Sequence, residues 1–255
     1  MDFPPLLHME KMFIQSKDNK YYKYLKNFLQ KKYRYEENLF LVEGPIVFKE
    51  AIKYMAPSYI AIRDDKEEQY KDLLGDRDYF IFPSHLFNKI SDSQSPQGII
   101  SYFPMVHKKF QEKSGKFLYL DKISDAGNMG TIIRTADAFN LSGVIISEDS
   151  CDIYNPKTIR ATMASIFRVP IYFLKEDELI KNNFKIIVSA LEDSKPIKEC
   201  DLSGDLILVI GNEAHGVSQK ILERANLKVK IPIRDSVDSL NAGVAAGIFA
   251  YEMSK

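Results

Sequence analysis

A polar turn in the second half of the chain leads into a helical pattern that carries one isolated arginine. The turn is residues 125–130 (DAGNMG), and Arg134 follows it. Apolar residues recur there at the spacing of one helix face: Met129, Ile132, Ile133, Ala136 and Phe139. Arg134 lies nearly opposite that face and is predicted to point away from the core. A solvated arginine and a capping Asn128 explain these residues without function, and a ligand site at the turn is the alternative.

A second polar turn, residues 211–218 (GNEAHGVS), follows the apolar run 206–210 (LILVI). Open α/β sheets bind their ligands at loops that follow the carboxyl ends of the strands. Glu213 and His215 suit either a general acid-base pair or two metal ligands, but the H-E-x-x-H spacing and a third nearby ligand are missing. The sequence therefore predicts a ligand-binding loop and no metal.

A third segment runs from residues 231–233 (IPI) through 239–241 (SLN) into a helix of very small residues, 242–247 (AGVAAG). Glycine inside a helix costs roughly 1 kcal/mol relative to alanine. That cost is tolerable where backbones approach closely, as in a tight interface or beside a cofactor. Plain packing of the helix on a sheet explains the glycines equally well, and the sequence does not separate the two interpretations.

The N-terminal part carries a different feature, a basic stretch interleaved with tyrosines. Between residues 17 and 35, seven basic residues stand against one acid, Asp18: Lys17, Lys20, Lys23, Lys26, Lys31, Lys32 and Arg34. Five tyrosines alternate with them: Tyr21, Tyr22, Tyr24, Tyr33 and Tyr35. Basic side chains neutralise phosphates and tyrosine stacks on unpaired bases, so the mixture favours an RNA surface. The alternative is a solvated helix face.

Composition limits the classes of protein that these features can serve. The 255 residues are 45% hydrophobic, and 35 basic residues balance 35 acidic ones, which excludes the global basicity of a histone-like binder. The two cysteines, Cys151 and Cys200, form no CxxC pair. The N-terminus lacks the order of a signal peptide, and no apolar run approaches the ~20 residues that span a bilayer. We therefore expect a soluble protein in the reducing cytoplasm, with no membrane contact.

The elements that must position these residues form two predicted domains. Helical stretches at 21–32 and 45–55 alternate with apolar runs at 39–42 and 79–82, which indicates a small α/β domain over residues 1–105. Residues 106–115 are polar and basic and are predicted to be a linker. In residues 116–255, strand-like runs alternate with helices, which indicates a mostly parallel sheet covered by helices: 117–120, 143–147, 169–173, 185–191, 206–210 and 228–233.

Taken together and in order, the three C-terminal segments resemble the three motifs of the SpoU/TrmH family of RNA 2′-O-ribose methyltransferases, within the SPOUT superfamily. The resemblance places Asn128 and Arg134 in the first motif, residues 211–213 in the second, and residues 231–233 with 239–241 in the third. Residues 31–44 and 95–98 (SPQG) resemble the substrate-binding domain often fused to this family, which has a ribosomal-protein-like α/β fold.

The resemblance implies a fold, a cofactor and site residues. It implies a sheet with helices on both faces and a C-terminal trefoil knot, a homodimer, and S-adenosylmethionine as cofactor. The residues implied to act in catalysis are Arg134, Asn128, Glu213, Ser239 and Asn241. The residues implied to hold the cofactor are Leu191, Gly211, Asn212, Glu213, Ile231, Ile233, Leu240 and Asn241. The residues expected to contact RNA are Lys17, Lys20, Lys31, Lys32 and Arg34.

The role of Arg134 has two interpretations. In this family an arginine is proposed to activate the 2′-hydroxyl, but guanidinium groups stay protonated in proteins and are poor general bases. Alternatively, Arg134 clamps a phosphate and stabilises the developing alkoxide.

Other functions remain alternatives. A Rossmann-type nucleotide binder would need G-x-G-x-x-G after its first strand, which residues 127–130 do not supply. A catalytically idle RNA-binding protein of the same fold is a further alternative. Because of the fused N-terminal domain, ribosomal RNA, most of all 23S, is favoured over transfer RNA as the substrate.

Overall fold

The computed structural model describes residues 11–255, and these form two compact units. The first unit contains the described residues up to Met105 together with Tyr154–Arg160. The second contains Val106–Ile153 and Ala161–Lys255. Within residues 11–255, no helix has both the length and the apolar character needed to cross a membrane.

The first unit is built on a mixed five-stranded sheet in the order β1-β4-β3-β5-β2. Its strands are β1 (Lys11–Phe13), β2 (Leu39–Glu43), β3 (Tyr59–Arg63), β4 (Tyr79–Phe82) and β5 (Ile99–Pro104). β5 runs antiparallel to both of its neighbours, while β1, β4 and β3 run parallel. Its apolar runs at 39–42 and 79–82 form β2 and β4, as predicted.

Five helices surround this sheet: α1 (Lys20–Asn27), α2 (Lys31–Glu37), α3 (Pro45–Ala51), α4 (Glu67–Leu74) and α5 (Ser84–Phe87). The single helix predicted over 21–32 is therefore two helices with a break at residues 28–30. The side chain of Asn19 caps α1 by accepting a hydrogen bond from the amide of Tyr21 at 2.8 Å. Leu25 of α1 packs into the aromatic core formed with Phe80 and Tyr102.

The second unit contains an all-parallel eight-stranded sheet in the order β11-β13-β10-β12-β7-β8-β9-β6. Its strands are β6 (Lys108–Lys109), β7 (Lys116–Leu120), β8 (Gly143–Ile146), β9 (Ile171–Phe173), β10 (Lys185–Ser189), β11 (Lys195–Pro196), β12 (Leu206–Ile210) and β13 (Leu227–Lys230). β12 and β7 are almost wholly buried, which explains their continuous apolar sequences. The six predicted strands are all present.

The predicted strand at 228–233 ends early, at Lys230. Pro232 lacks an amide hydrogen and cannot continue a hydrogen-bonded ladder. Residues 231–241 are therefore a connection between β13 and the last helix, and they lie at the end of the sheet where that connection can line a site.

The helices after β7 are α6 (Ala126–Ala138), α7 (Pro156–Thr162), α8 (Glu176–Ile180), α9 (Gln219–Arg224) and α10 (Ala242–Met253). α7 begins in residues that belong to the first unit and ends in the second. α6 packs against α10, and a β-carbon on Gly243 would lie 3.1 Å from Cγ2 of Thr131. The glycine at 243 therefore serves the close approach of two helices.

Candidate active site

The first motif is placed at the N-terminus of α6, directly after β7. Asp125 is the N-cap residue, and its side chain accepts a hydrogen bond from the amide of Asn128 at 2.8 Å. The cap thus belongs to Asp125, which leaves the side chain of Asn128 free for other partners. The apolar stripe predicted for this helix is confirmed, since Met129, Ile132, Ile133 and Ala136 are buried.

The carboxylate of Glu213 joins the first and second motifs. Its Oε1 accepts a hydrogen bond from Nδ2 of Asn128 at 2.9 Å. Its Oε2 accepts two more from Ser124, from Oγ at 2.9 Å and from the amide at 3.2 Å. Glu213 therefore orients the turn before α6, which is a positioning function rather than the acid-base pair with His215 that the spacing allowed.

The ionisation of Glu213 reflects these contacts. Partial burial acts to raise the pKa of the Glu213 carboxyl, but hydrogen bonds from Asn128 and Ser124 outweigh it, and the pKa lies below its usual value. The carboxylate is therefore charged at neutral pH and acts as a hydrogen-bond acceptor.

Asn241 brings the third motif to the same point. Its Nδ2 donates to Oδ1 of Asn128 at 2.8 Å, across 113 residues of sequence. Its Oδ1 caps α10 by accepting from the amides of Gly243 at 2.9 Å and Val244 at 3.2 Å. The chain of contacts Glu213–Asn128–Asn241, which we call the amide cluster, thus holds together residues of all three motifs.

The loop at residues 211–218 is held from within and by the segment that follows β7. Nδ2 of Asn212 donates to the carbonyl of Lys122 at 2.7 Å, and its Oδ1 accepts from the amides of Ala214 and His215 at 2.9 and 3.1 Å. A β-carbon on Gly211 would overlap the backbone of Gly216 and Val217. Only glycine fits position 211 with the loop in this conformation.

Asp121 is a further residue of this region that the sequence reasoning missed. It directly follows β7, is only 1% exposed, and its Oδ2 accepts from the amide of Ser218 at 2.6 Å. Its Oδ1 has no hydrogen-bond partner among the described residues. The sequence signal for it was an acidic residue immediately after the apolar run 117–120. An aspartate is rarely fully buried unless it has a partner, so this position indicated a specific contact.

A cavity of about 720 Å³ lies beside the amide cluster, at the carboxyl ends of β10, β12 and β13. Seven of the residues implied to hold a cofactor line it: Leu191, Gly211, Asn212, Glu213, Ile231, Ile233 and Leu240. Ser239 also lines it, whereas Asn241, Asn128 and Arg134 are not among its lining residues. In residues 11–255, no group of three potential metal ligands occurs.

Arg134 lies six residues, or about 1.7 turns, along α6 from Asn128 and is exposed. Within the described part of the chain, no hydrogen bond or ion pair holds its guanidinium. The structure therefore brings Asn128, Glu213 and Asn241 together and leaves Arg134 outside their cluster, with its charge available to a ligand.

The predicted RNA-binding residues of the first unit divide into two groups. Lys17, Lys20, Lys31 and Lys32 are exposed. Arg34 is not available to RNA, and that prediction was wrong: it is 2% exposed, and its Nη1 donates to the carbonyl of Phe28 at 2.8 Å. The guanidinium instead stabilises the break between α1 and α2.

Three of the five tyrosines of this stretch differ from the prediction of a stacking surface, whereas Tyr35 is exposed. Tyr21 and Tyr22 are buried on the inner face of α1, against Phe80 and Phe82. Tyr24 packs edge-on against Phe28 and donates a hydrogen bond to Glu37 at 2.9 Å. Tyr21 and Tyr22 are core residues and Tyr24 is half-buried against the core, so electrostatic attraction rather than stacking is the means by which α1 can attract a nucleic acid.

Comparison with known proteins identifies relatives over both parts of the chain. Residues 115–251 match the SpoU rRNA Methylase family, and residues 19–101 match an MRM3-like substrate binding domain. The chain is 31% identical over 244 residues to the 23S rRNA (guanosine(2553)-2′-O)-methyltransferase RlmP of Bacillus subtilis, which covers 94% of this chain and 98% of that protein.

Solved structures show the same architecture. An AdoMet-bound rRNA methyltransferase from Sinorhizobium meliloti superposes with a TM-score of 0.85 at 26% identity, over 96% of this chain and 98% of the other. An RNA methyltransferase of the TrmH family from Porphyromonas gingivalis, described as putative, gives a TM-score of 0.80 at 27% identity, over 91% and 96%. The likeness therefore extends over both units.

Proposed function

This chain belongs to the SpoU rRNA methylase family, and we propose that it methylates a ribose 2′-hydroxyl of 23S ribosomal RNA with S-adenosylmethionine as methyl donor. The observation that carries the proposal is the amide cluster, because Glu213, Asn128 and Asn241 come from three separate motifs and meet beside one cavity. RlmP of Bacillus subtilis, a relative over nearly the full length, is by name a 23S rRNA methyltransferase, which supports that substrate.

The cavity fits S-adenosylmethionine in size and charge. Its volume of about 720 Å³ lies within the range of small-molecule sites. The charged side chains of its lining are mostly acidic: Glu192, Asp193, Glu213, Glu223 and Asp238 against Lys228 and Lys230. An excess of carboxylates suits a ligand with a sulfonium and an ammonium group, and Leu191, Ile231, Ile233 and Leu240 supply apolar walls for its adenine and methionine parts.

When bound, S-adenosylmethionine supplies an electrophilic methyl group on a positively charged sulfur. The residues of this chain provide position: the loop at 211–218 and the connection at 231–241 form the walls, and the amide cluster fixes both to the N-terminus of α6. Alignment of the acceptor oxygen with the methyl group can by itself lower the barrier substantially. We assign Asn128, Glu213, Ser239 and Asn241 to this positioning.

We propose that Arg134 contacts the RNA substrate. No carboxylate within residues 11–255 pairs with its guanidinium, so nothing there draws off its proton, and a general base is the weaker of its two interpretations. As a cation on the exposed face of α6, it can clamp a phosphate bidentately and stabilise negative charge on the 2′-oxygen.

We propose three structural features that the family resemblance implies. Residues 1–105 form the RNA substrate-binding domain and residues 116–255 the methyltransferase domain. Residues 106–115 are the linker, although β6 within them already pairs with β9 in the sheet of the second unit. The protein is a homodimer, which the exposed Val244 (53%) and Tyr251 (51%) of α10 support. The C-terminal part is knotted, which the strand order supports, because β13, although later in the chain, lies in the sheet between β10 and β11.

The test is a map of 2′-O-methyl groups in ribosomal and transfer RNA from cells with and without the gene, combined with labelled methyl transfer by the purified protein. Loss of one methyl group in 23S ribosomal RNA, restored by the protein in vitro, is the expected result. Loss in transfer RNA instead would identify the alternative substrate. Binding of S-adenosylmethionine in a calorimeter without transfer to any RNA would show a catalytically idle protein.

A further inference from the structure

Charge in the first unit is segregated along the chain, although the whole protein is neutral. Residues 17–34 carry seven basic residues and one acid, while residues 36–78 carry eleven acids and six basic residues. Arg34 is buried, so the exposed cations of the first segment are lysines. Such a concentration of one sign creates a local field that attracts a polyanion.

The lysines of α1 are outward-facing because of what the helix buries. Tyr21, Tyr22 and Leu25 fill the inner face, so Lys23 and Lys26 project from the outer one. The side chain of Lys26 lies in the last turn of α1. The same amphipathic pattern that builds the core therefore places cations on the surface.

Beside α1 lies a cleft of about 810 Å³, formed by residues 15–30 on one side and by α5 with the residues after it on the other. Its lining is basic and polar over an apolar floor. The lining residues are Gln15, Ser16, Lys17, Asp18, Tyr22, Lys23, Lys26, Asn27, Leu29, Gln30, His85, Leu86 and Lys89. We call it the lysine cleft.

Most of the cations of the lysine cleft have no counter-charge. Lys23 pairs with Asp18 at 3.4 Å, and both side chains are exposed. Lys17, Lys26 and Lys89 make no ion pair with any residue in the described range 11–255. Lys89 comes from a different part of the sequence than the other two, so the fold itself gathers three unpaired cations around one concave surface.

We propose that the lysine cleft binds a backbone segment of the ribosomal RNA substrate, with phosphates on Lys17, Lys26 and Lys89. Amide side chains of Gln15, Asn27 and Gln30, together with the imidazole of His85, offer donors and acceptors to the adjacent sugars and bases. A polyanion that also carries polar bases matches this lining better than an acidic peptide does. The inference rests on the proposed function and names where the first unit holds the substrate.

The test is a double charge reversal, Lys26→Glu with Lys89→Glu, against the matched pair Lys49→Glu with Lys71→Glu. Lys49 and Lys71 are exposed lysines of the same unit, lie in the last turns of α3 and α4 as Lys26 does in α1, and stand away from the cleft. The net charge changes equally in both. Binding of an unmodified 23S ribosomal RNA transcript is measured over a series of salt concentrations.

The cleft variant is expected to bind the transcript at least roughly 30-fold more weakly, with a slope of log K against log salt reduced by about 1.5. The matched pair should bind within about threefold of the wild type. The milder pair Lys26→Gln with Lys89→Gln should show an intermediate loss, which excludes misfolding as the cause. Calorimetric binding of S-adenosylmethionine should be unchanged in all variants.

Failure of this inference and failure of the proposed function give different results. A cleft variant that keeps wild-type RNA affinity and salt dependence, in an enzyme that methylates ribosomal RNA, overturns the lysine cleft alone. A wild type that binds the transcript through the cleft but transfers no methyl group overturns the proposed function alone. A wild type that binds an acidic protein and no RNA overturns both.

Discussion

The two units of this protein present their polar residues in different ways. In the second unit they stand on loops at the carboxyl edge of a parallel sheet, where Glu213, Asn128 and Asn241 meet from three parts of the chain. In the first unit they stand on the outer face of α1 and on the residues after α5, around the lysine cleft. Side chains of the first set hold one another, whereas most lysines of the second set form no ion pair within residues 11–255.

The difference in side-chain partners indicates different functions for the two surfaces. Mutual hydrogen bonds fix side chains before a ligand arrives, which is what alignment of two reacting groups requires. Unpaired lysines on flexible stems give attraction with little geometric demand, which suits a backbone of repeated phosphates. Substitutions in the second unit should therefore change catalysis or cofactor binding, and substitutions in the first should change RNA affinity and its salt dependence.

The largest effect is expected for Arg134→Ala. If Arg134 stabilises charge on the acceptor oxygen, its loss should lower the rate of methyl transfer by two or more orders of magnitude. The affinity for S-adenosylmethionine should stay near wild type, because Arg134 does not line the cavity. Single-turnover transfer of a labelled methyl group and calorimetry measure the two quantities. The exposed Arg224 of α9 serves as the control, and near-wild-type turnover in Arg134→Ala would refute its assignment.

The next effect is expected for Gly211→Ala, which tests whether the loop at 211–218 is a fixed wall. Because a β-carbon there would overlap the backbone of Gly216 and Val217, the loop must shift. We expect the affinity for S-adenosylmethionine to fall at least about tenfold while RNA affinity persists.

Gly216→Ala is the comparison within the same loop. Gly216 has a φ of +70° but open space around it, so alanine there costs only the backbone strain, roughly 1 kcal/mol. Equal cofactor affinities in the two variants would show that the wall adapts to the added methyl group.

Much of the second unit was predictable because its structural signals are local. Each buried strand is a continuous apolar run, and parallel sheets bind ligands at the carboxyl ends of their strands, so a ligand-binding loop was expected there. The partners within that region were not predictable. That Asn128 binds Glu213 and Asn241, while Asp125 takes the cap, depends on distances across 85 and 113 residues that no periodicity encodes.

In the first unit, residue types along the sequence did not predict which side chains are exposed. Lysines and tyrosines alternate from residue 20 to 26, and their types alone suggest one mixed RNA surface. Helical geometry separates them, because Tyr21 and Tyr22 face the core while Lys23 and Lys26 face outward. The burial of Arg34 depends on the end of helix α1 before Phe28, whose carbonyl it binds. The placement of Lys89 beside α1 depends on the tertiary fold. Neither leaves a signal in sequence spacing.

A smaller effect, with a defined pH dependence, is expected for Glu213→Gln. A glutamine has one acceptor oxygen where the carboxylate has two, so one donor from Ser124 or Asn128 loses its partner. We therefore expect the rate of methyl transfer to fall several-fold. Glu199→Gln, at an exposed carboxylate of the same unit that does not line the cavity, is the control.

The sign of the pH effect follows from the lowered pKa of Glu213. A carboxyl whose pKa is lower in the folded state stabilises the fold at pH values above its ordinary value of 4.5, and this contribution is lost as pH falls through the lowered folded value. The stability difference between wild type and Glu213→Gln should be constant from pH 7 to 5 and should narrow in more acid solution. Thermal unfolding across this range measures it, and a difference that widens with acid would contradict the assignment.

The smallest expected effect is a loss of stability, and it can be compared between the two units because each contains an asparagine in the left-handed conformation. Asn38, after α2, has a φ of 55°, and Asn140, just after α6, has a φ of 51°; both are exposed. Asparagine adopts this left-handed conformation at a lower cost than alanine, so Asn38→Ala and Asn140→Ala should each cost about 1 kcal/mol. Glycine at either position should cost nothing or stabilise slightly. Hydrogen exchange of backbone amides can assign each loss to its unit, and alanine variants as stable as the glycine variants would show that neither helix end depends on the left-handed turn.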